Sequence, residues 1–338
     1  MSLEIELENR SKSNVDAERL WSRYRSVKDY LSVNYYRWVL MECPYYTDHG
    51  EQHIESVIQA ASGLVMPHLN QNNSLLSPLD IFLILSGILW HDVGNVYGRS
   101  KHAERVTEMT AKIKELGFPN PDIRRLVDEI SRAHQGGEGL LIPSGKDEHC
   151  TIANNNYRVF PRELAALVRF ADEISENRSR ISTELLPTVP AENRIYWEYA
   201  NSISASVPDP ARERVVVTIF IEQQKAFERF SCPTEYAARG DSKGTLSLIE
   251  YIVCRLEKMN NERSYCGKWF NRYVRINEIE ARFTLLHDTR RLLEETVIFG
   301  DSGVRRESDD SYPKIDLFDE FFKKHPEWTP ENIERGLS

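Results

Sequence analysis

Apolar positions dominate the stretch 79–94, which reads LDIFLILSGILWHDVG, and this pattern predicts a buried helix at the centre of the protein. Ser77 is a suitable N-cap for this helix, and Pro78 is a suitable first helical residue. Gly94 is expected to end the helix in a left-handed conformation. The apolar run is too short to span a bilayer, so the pattern favours a core helix over a membrane anchor.

The predicted core helix ends on two residues that are costly to bury, His91 and Asp92. A buried carboxylate must be paired with a cation, protonated or bound to a metal, because an isolated buried charge is strongly destabilising. The alternative is structural: Asp92 is solvated at the helix end and His91 is a hydrogen-bonded core histidine. The pair alone does not decide between these interpretations.

Helical periodicity also predicts helices on both sides of the core helix. They are expected over 15–41, after Asp48, from Ser100 to Gly117, after Asn120 and from Pro161. Beyond about residue 180 the pattern changes: 215–222 and 274–286 read as strands, and 245–259 reads as an amphipathic helix. The sequence therefore predicts a mainly α fold, a helical bundle with a smaller C-terminal α+β section.

Composition shifts give expected boundaries along the chain. We expect a flexible N-terminus over 1–14, a helical domain over 15–185, an α+β section over 186–300, and a linker with a short helix over 301–338. The aperiodic segment 135–158, rich in turn residues, is expected to be a lid or a binding loop.

Further histidines and one aspartate follow the helical pattern. Asp48 and Glu51 form a capping-box pattern that predicts His49 in the first turn of a helix and His53 one turn later. The spacing of these two histidines is also compatible with ordinary core or surface positions. His102 is expected in the first turn of its helix. His134 and Asp172 are expected on buried helix faces, because each lies four residues after an apolar stripe position.

Taken together, these residues predict a metal site inside the helical bundle. His53, His91, Asp92 and Asp172 would converge on one divalent cation, and His102 and His134 would hold a second ion bridged through Asp92. Mixed nitrogen and oxygen ligands suit Mn, Mg, Fe, Co or Ni better than a closed structural zinc site. Two such ions activate a bridging water and neutralise charge on a phosphate group.

At this point the sequence resembles the HD superfamily of metal-dependent phosphohydrolases over roughly residues 44–180. The resemblance rests on HIESV from His53, HDVG from His91, His102, HQGG from His134 and the Ala-Asp pair at 171–172. The segment LSGILWHDVG is most similar to a bacterial branch of this superfamily called HD-CE. The segment YTDHGEQH also resembles cyclic-nucleotide phosphodiesterases, although Gly50 stands where they usually have asparagine. Cyclic-dinucleotide phosphodiesterases carry a GYP motif that residues 135–139, QGGEG, do not match.

The resemblance implies a reaction and roles for individual residues. The expected metal ligands are His53, His91, Asp92, His102, His134 and Asp172. The expected catalytic residues are His49, as the acid that protonates the leaving oxygen, and Asp92. Arg99, Lys101, Arg132 and Arg178 lie near these residues in sequence and are candidates for contacts with substrate phosphates, although solvated helix surface is an equally good interpretation.

The amino-acid composition limits the kinds of partner that we expect the protein to bind. With 43 lysines and arginines against 52 aspartates and glutamates, the chain has a net charge of −9, which argues against an extended nucleic-acid or membrane surface. Five scattered cysteines without a CxxC pair argue against a disulfide framework and predict a cytoplasmic protein. The expected partner is a small nucleotide, and a homo-oligomer is compatible with the sequence.

The leading hypothesis is a hydrolase of phosphoester bonds in a cyclic nucleotide or nucleoside polyphosphate, with the α+β section closing one side of the pocket or pairing protomers. Two alternatives stay open. An HD-type oxygenase would hold two irons on the same ligands, and a nucleotide sensor or interaction module would bind its ligand without turnover. The sequence does not specify the substrate, the metal or the oligomeric state.

Overall fold

The computed structural model describes residues 2–42, 45–69, 74–98, 102–134, 147–300 and 317–336. Helices make up most of this part of the chain, which confirms the expected mainly α class with a smaller α+β section. The helices are α1 Leu3–Ser11, α2 Val15–Leu31, α3 Arg37–Glu42, α4 Glu51–Leu64, α5 Pro78–Trp90, α6 His102–Lys112, α7 Lys114–Gly117, α8 Pro121–Arg132, α9 Pro161–Glu173, α10 Ala191–Ser202, α11 Gln223–Ala226, α12 Leu248–Phe270, α13 Phe318–Lys324 and α14 Pro330–Arg335. A π-helical segment, Ser32–Tyr36, joins α2 to α3.

The strands lie mostly in the second half of the chain. They are β1 Glu148–Ile152, β2 Asn155–Val159, β3 Ile203–Asp209, β4 Arg214–Glu222, β5 Arg229–Ser231, β6 Thr245–Ser247, β7 Glu278–His287 and β8 Arg290–Phe299. The main sheet has the order β3-β4-β7-β8, in which β4 and β7 are parallel and the other neighbours are antiparallel. The parallel pair requires a crossover connection, and the chain between these two strands contains α12.

Helix α5 is the centre of the core. Every residue from Leu79 to Trp90 is buried, and α5 contacts α1, α2, α4, α8 and α9. Its start agrees with the prediction, because Ser77 and Asp80 form a reciprocal capping box and Pro78 is the first helical residue. By length and composition the segment 78–97 could cross a membrane, contrary to the expectation that it is too short. However, 94% of its most apolar 18-residue window is buried inside the protein, as in a core helix.

The N-terminal segment differs from the prediction of a flexible stretch over 1–14. Residues Leu3–Ser11 form α1, in which Leu3 and Leu7 are fully buried. The backbone N–H of Leu3 donates to Oγ of Ser62 at 3.0 Å, and Arg10 donates to the carbonyl oxygen of Leu76 at 2.6 Å. The expectation was wrong because only two apolar side chains hold this short helix in place. A periodicity argument gives little weight to so few positions.

The predicted irregular segment 135–158 is also partly regular. Strands β1 and β2 form an antiparallel hairpin within and just beyond it. Residues 135–146 lie outside the described residues. The turn of the hairpin places Ala153 at φ 51°, a left-handed conformation that a sequence pattern does not predict for alanine.

The C-terminal α+β section packs directly on the helical bundle. Helix α12 lies against α9, and a buried ion pair joins them: Nε of Arg169 is 2.8 Å from Oε2 of Glu262, and Nη2 is 2.9 Å from Oε1. A bidentate guanidinium–carboxylate pair fixes the mutual orientation of both side chains. This contact crosses the boundary expected at 185/186, which stays a prediction.

Substitution Leu7→Ala tests whether α1 belongs to the core. We expect it to lower the free energy of unfolding by about 2–5 kcal/mol, because a fully buried leucine leaves a cavity. Ile5→Ala, on the exposed side of the same helix, is the matched control and should change stability by less than about 0.5 kcal/mol. Denaturant unfolding measures both, and equal effects of the two substitutions would contradict the packed position of α1.

A second prediction concerns the pH dependence of stability at the start of α5. Asp80 accepts hydrogen bonds from the N–H and hydroxyl of Ser77, yet burial dominates and raises the pKa of Asp80 from its ordinary 3.8 to about 6. The folded protein therefore holds a proton that the unfolded chain has released, so this contribution to stability is present below pH 4 and is lost as pH rises through 6.

Asp80→Asn removes this titration and keeps an acceptor for Ser77. From pH 4 to pH 7.5, the stability difference between variant and wild type should move in favour of the variant by about 1–3 kcal/mol. Denaturant unfolding at both pH values provides the measurement. A pH-independent difference would show that Asp80 titrates normally in the folded protein.

Candidate metal centre

Two residues just past the end of α5 begin the site. His91 is the C-cap of α5 and is completely buried, and Asp92 is 6% exposed. Nδ1 of His91 lies 2.7 Å from the carbonyl oxygen of Ile88. Because a carbonyl only accepts, Nδ1 carries a proton, and Nε2 is the ring nitrogen that faces the interior and would bind a cation.

Three side chains from three helices form the first group of ligand atoms. Nε2 of His53 on α4 lies 3.1 Å from Nε2 of His91 and 3.2 Å from Oδ1 of Asp172 on α9. Nε2 of His91 lies 3.6 Å from the same carboxylate oxygen. Two imidazole nitrogens and one carboxylate oxygen thus face one point.

A second group lies on the other side of Asp92. Nε2 of His102, the first residue of α6, is 3.0 Å from Nε2 of His134, which follows α8. Nδ1 of His134 lies 2.6 Å from the carbonyl oxygen of Ser131, so its Nε2 is directed inward in the same way as that of His91.

Asp92 joins the two groups. Its Oδ2 lies 3.5 Å from Nε2 of both His53 and His91, and its Oδ1 lies 3.4 Å from Nε2 of His102 and 3.7 Å from Nε2 of His134. One carboxylate therefore has one oxygen toward each group. The six residues singled out in the sequence meet in this way at one place.

The charges of the cluster are strongly coupled. Burial opposes ionisation of Asp92 and Asp172, but the surrounding histidines outweigh it and hold the pKa of both well below the usual range. Burial also lowers the pKa of His91, but the two carboxylates raise it to about 9 overall. Burial and the neighbouring His91 charge lower the pKa of His134 to about 4.

This donor set fits a divalent cation. The two groups, His53–His91–Asp172 and Asp92–His102–His134, each place their ligand atoms within 4.8 Å of one another. Imidazole and carboxylate ligands suit Mn, Fe, Co, Ni or Zn.

Gly94 is required for a reason that differs from the prediction. It does not adopt a left-handed conformation; the positive φ, 92°, belongs to Gly98. A Cβ atom at position 94 would overlap the backbone carbonyl of His102. The glycine therefore allows the start of α6 to approach the end of α5, which brings His102 within reach of Asp92.

His49 lies beside the cluster but not in a helix, contrary to the prediction. Helix α4 begins at Glu51, two residues after His49. The Asp48 carboxylate lies before the first turn and accepts hydrogen bonds from the N–H of Gly50 at 2.9 Å and from the N–H of His53 at 3.2 Å. His49 is half-buried, and its ring centroid lies 5.6 Å from that of His53. Nη2 of Arg180 lies 3.5 Å from both ring nitrogens of His49.

A cavity of about 600 Å³ opens above the cluster. Its floor contains His53, Asp92, His102, His134 and Asp172, and its walls contain Tyr46, Thr47, His49, Arg169, Glu173, Glu176, Arg180, Tyr196, Tyr199, Glu235, Tyr251, Arg255, Lys258 and Glu262. A volume of this size accommodates a small organic ligand. Seven of the lining residues come from the section beyond residue 186, so that section closes one side of the cavity.

The expected phosphate-binding residues do not line this cavity. Arg132 and Arg178 are exposed and are not part of its walls, while Arg99 and Lys101 lie outside the described residues. These candidates were chosen by nearness in sequence, which does not determine nearness in space.

Other cations, which sequence reasoning missed, line the walls: Arg169, Arg180, Arg255 and Lys258. Arg169 could have been found from the sequence, because it is the one charged residue in the apolar run 164–171. It lies three residues before Asp172, so the two side chains share a helix face. The other three had no such signal.

The HD-CE family model matches residues 43–241, more than half of the chain. The chain belongs to the HD-CE family. A comparison with curated proteins found no match, and a comparison with solved structures found none either. The HD-CE match includes all six residues of the His–Asp cluster and the tyrosines Tyr196 and Tyr199 of the cavity wall. It supports an HD-type, metal-dependent hydrolase.

The geometry of this HD-CE site predicts a specific loss of metal for each variant. After loading with Mn²⁺ and dialysis, Asp92→Ala should lose metal at both groups, because its two oxygens face one group each. His102→Ala should lose metal at the second group alone and retain about one equivalent relative to two in the wild type. Elemental analysis measures the content, and circular dichroism verifies folding.

His149→Ala is the control for these metal measurements, since His149 is exposed on β1. It should bind the same amount of Mn²⁺ as the wild type. If the wild type binds no divalent metal, or if Asp92→Ala retains the full amount, the assignment of the cluster as a metal centre is wrong.

Proposed function

We propose that this HD-CE protein hydrolyses phosphoester bonds in a small nucleotide by metal-dependent chemistry. The observation that carries the proposal is the position of Asp92, one carboxylate shared by two His–Asp groups at the floor of a cavity. Divalent cations bound there would supply Lewis acids that activate water and neutralise phosphate charge. The residues of the chain hold those ions, orient the substrate and move the proton of the leaving group.

His49 is the proposed acid for the leaving oxygen. It is half-buried on the cavity wall next to His53, and its Nδ1 lies 2.5 Å from the carbonyl oxygen of Thr47, which orients the ring. An imidazole is suited to proton transfer because its ordinary pKa lies near neutrality. Arg180 supports this position, since its Nε donates to the carbonyl oxygen of Asp48 at 2.9 Å.

Exclusion of water is the proposed role of the section beyond residue 186. Tyr199 and Tyr251 are 2% and 0% exposed and form a wall against the cavity. Exclusion of water by such buried rings strengthens the electrostatic interactions of a bound phosphate with the floor. We propose a nucleotide as the substrate, and a cytoplasmic location in line with the free cysteines Cys150, Cys232, Cys254 and Cys266 of the described chain.

The test is a screen for phosphate release and nucleotide products with Mn²⁺ and Mg²⁺ against a nucleotide panel. We expect turnover that a chelator abolishes and that His91→Ala lacks, because His91 belongs to the His53–His91–Asp172 group of ligand atoms beneath the cavity floor. His49→Ala should lower kcat by about 10²–10⁴ while its metal content stays at the wild-type level, as expected for a proton donor.

The exposed His149→Ala serves again as the control and should retain wild-type turnover. Equal turnover in the wild type and His91→Ala would contradict the proposal, because the activity would then come from a contaminant. The same preparation, reduced and loaded with iron, is assayed for substrate-dependent O₂ uptake. Uptake without phosphate release would favour an oxygenase instead.

A further inference from the structure

One wall of the cavity has two cations that share a single carboxylate. Arg255 and Lys258 lie three residues apart on α12 and therefore on the same helix face. Nη2 of Arg255 is 3.3 Å from Oε1 of Glu173, and Nζ of Lys258 is 2.7 Å from Oε2 of the same residue. We call Arg255 and Lys258 the α12 cation pair. Together with the one carboxylate that they share, they carry a net positive charge.

The other cations of the wall each have a carboxylate of their own. Arg169 pairs with Glu262, and Arg180 pairs with Glu176 at 3.1 Å. The remaining acid of the wall, Glu235, is exposed, so solvent screens its charge. The four cations and four acids of the wall balance overall, and the α12 cation pair is the place among the described wall residues where two cations share one carboxylate.

The packing around Arg255 holds it in one position. Its guanidinium carbon lies 5.1 Å from the centroid of the Tyr199 ring, and that ring meets Tyr251 edge-on at 5.5 Å. Stacking of this kind restrains the planar guanidinium and leaves its edge available for hydrogen bonds. Such preorganisation reduces the entropy lost when an anion binds.

Besides the phenolic oxygen of Tyr199, two polar atoms beside the cation pair are buried without a partner in the described part of the chain. They are Nε of Arg255 and the phenolic oxygen of Tyr251, a residue that is 0% exposed. A buried donor without an acceptor is destabilising, so an acceptor supplied by a ligand would be favourable here. Both residues line the cavity, which gives such a ligand access to them.

The α12 cation pair is also close to the metal floor along α9. Its carboxylate, Glu173, directly follows Asp172, whose Oδ1 faces His53 and His91. An anion at the cation pair and a phosphate at the floor would therefore occupy the same cavity.

We propose that Arg255, Lys258 and Tyr251 form a second phosphate subsite, and that the substrate carries at least two phosphate groups. This inference rests on the proposed function. One phosphate lies at the floor, where the bond is broken, and another lies at the α12 cation pair, where guanidinium and ammonium donate to its oxygens. Among nucleotides, this selects nucleoside polyphosphates over cyclic mononucleotides.

Binding of two non-hydrolysable probes tests the subsite without turnover. Methylenediphosphonate has two phosphate-like groups, and methylphosphonate has one. By calorimetry on the Mn²⁺-loaded protein, with metal content verified on the recovered sample, the wild type should bind the two-group probe at least about tenfold more tightly, as expected for charge-assisted hydrogen bonds.

Lys258→Gln should remove most of this preference, and the fold is expected to survive because the Lys258 side chain is 36% exposed. Arg255→Gln is a second variant with the same expectation, accepted only with a wild-type circular dichroism spectrum. Lys243→Gln, at an exposed lysine outside the cavity, is the matched control and should bind both probes as the wild type does. Equal affinity of the wild type for both probes would overturn the subsite, as would an unchanged preference in Lys258→Gln.

Kinetics separate this inference from the proposed function. The ratio of kcat/KM for a nucleoside triphosphate to that for bis(4-nitrophenyl) phosphate, which has one phosphate, should fall at least about tenfold in Lys258→Gln. Turnover with an unchanged ratio would refute the second subsite and leave the hydrolase intact. Probe discrimination without any turnover would refute the hydrolase and leave the anion subsite intact.

Discussion

The structure depends on one costly arrangement, the Asp92 carboxylate held among four imidazoles at the end of a completely buried helix. An ion in such a place is tolerated only when opposite charge or a cation surrounds it. Its two oxygens lie 3.4–3.7 Å from the Nε2 atoms of His53, His91, His102 and His134. The helices that supply those histidines must therefore meet at one point, and Gly94 removes the side chain that would keep α6 away.

Helix α9 connects this floor to the rest of the protein. Within five residues it supplies Arg169 to the buried pair with Glu262, Asp172 to the His–Asp cluster and Glu173 to the cations of α12. Removing one partner of a buried ion pair costs about 3–5 kcal/mol, because the other charge is left without compensation. The α+β section is thus coupled to the ligand geometry through the rigid face of one helix.

The sequence predicted the cluster because its residues break the apolar pattern at helix ends and on buried faces. Burying a carboxylate or an imidazole there is destabilising unless a partner or a cation compensates it. Ser77, Pro78 and Asn120 marked helix starts correctly for the same local reasons. The capping of α4 and the role of Gly94 were predicted wrongly, since both depend on contacts with distant segments. The wall cations Arg255 and Lys258 could not be found, because nothing near them in sequence indicates that α12 packs on α9.

The floor and the wall of the cavity differ in how firmly their side chains are fixed. The cluster histidines His91 and His134 are buried and anchored through Nδ1 to backbone carbonyls, so any change there disturbs the core. The wall uses longer side chains, and Lys258 among them is partly exposed, so a substitution at Lys258 has little effect on packing. The fold therefore fixes the His–Asp cluster at the end of α5, whereas the charged part of the cavity wall depends on the face that α12 presents to α9.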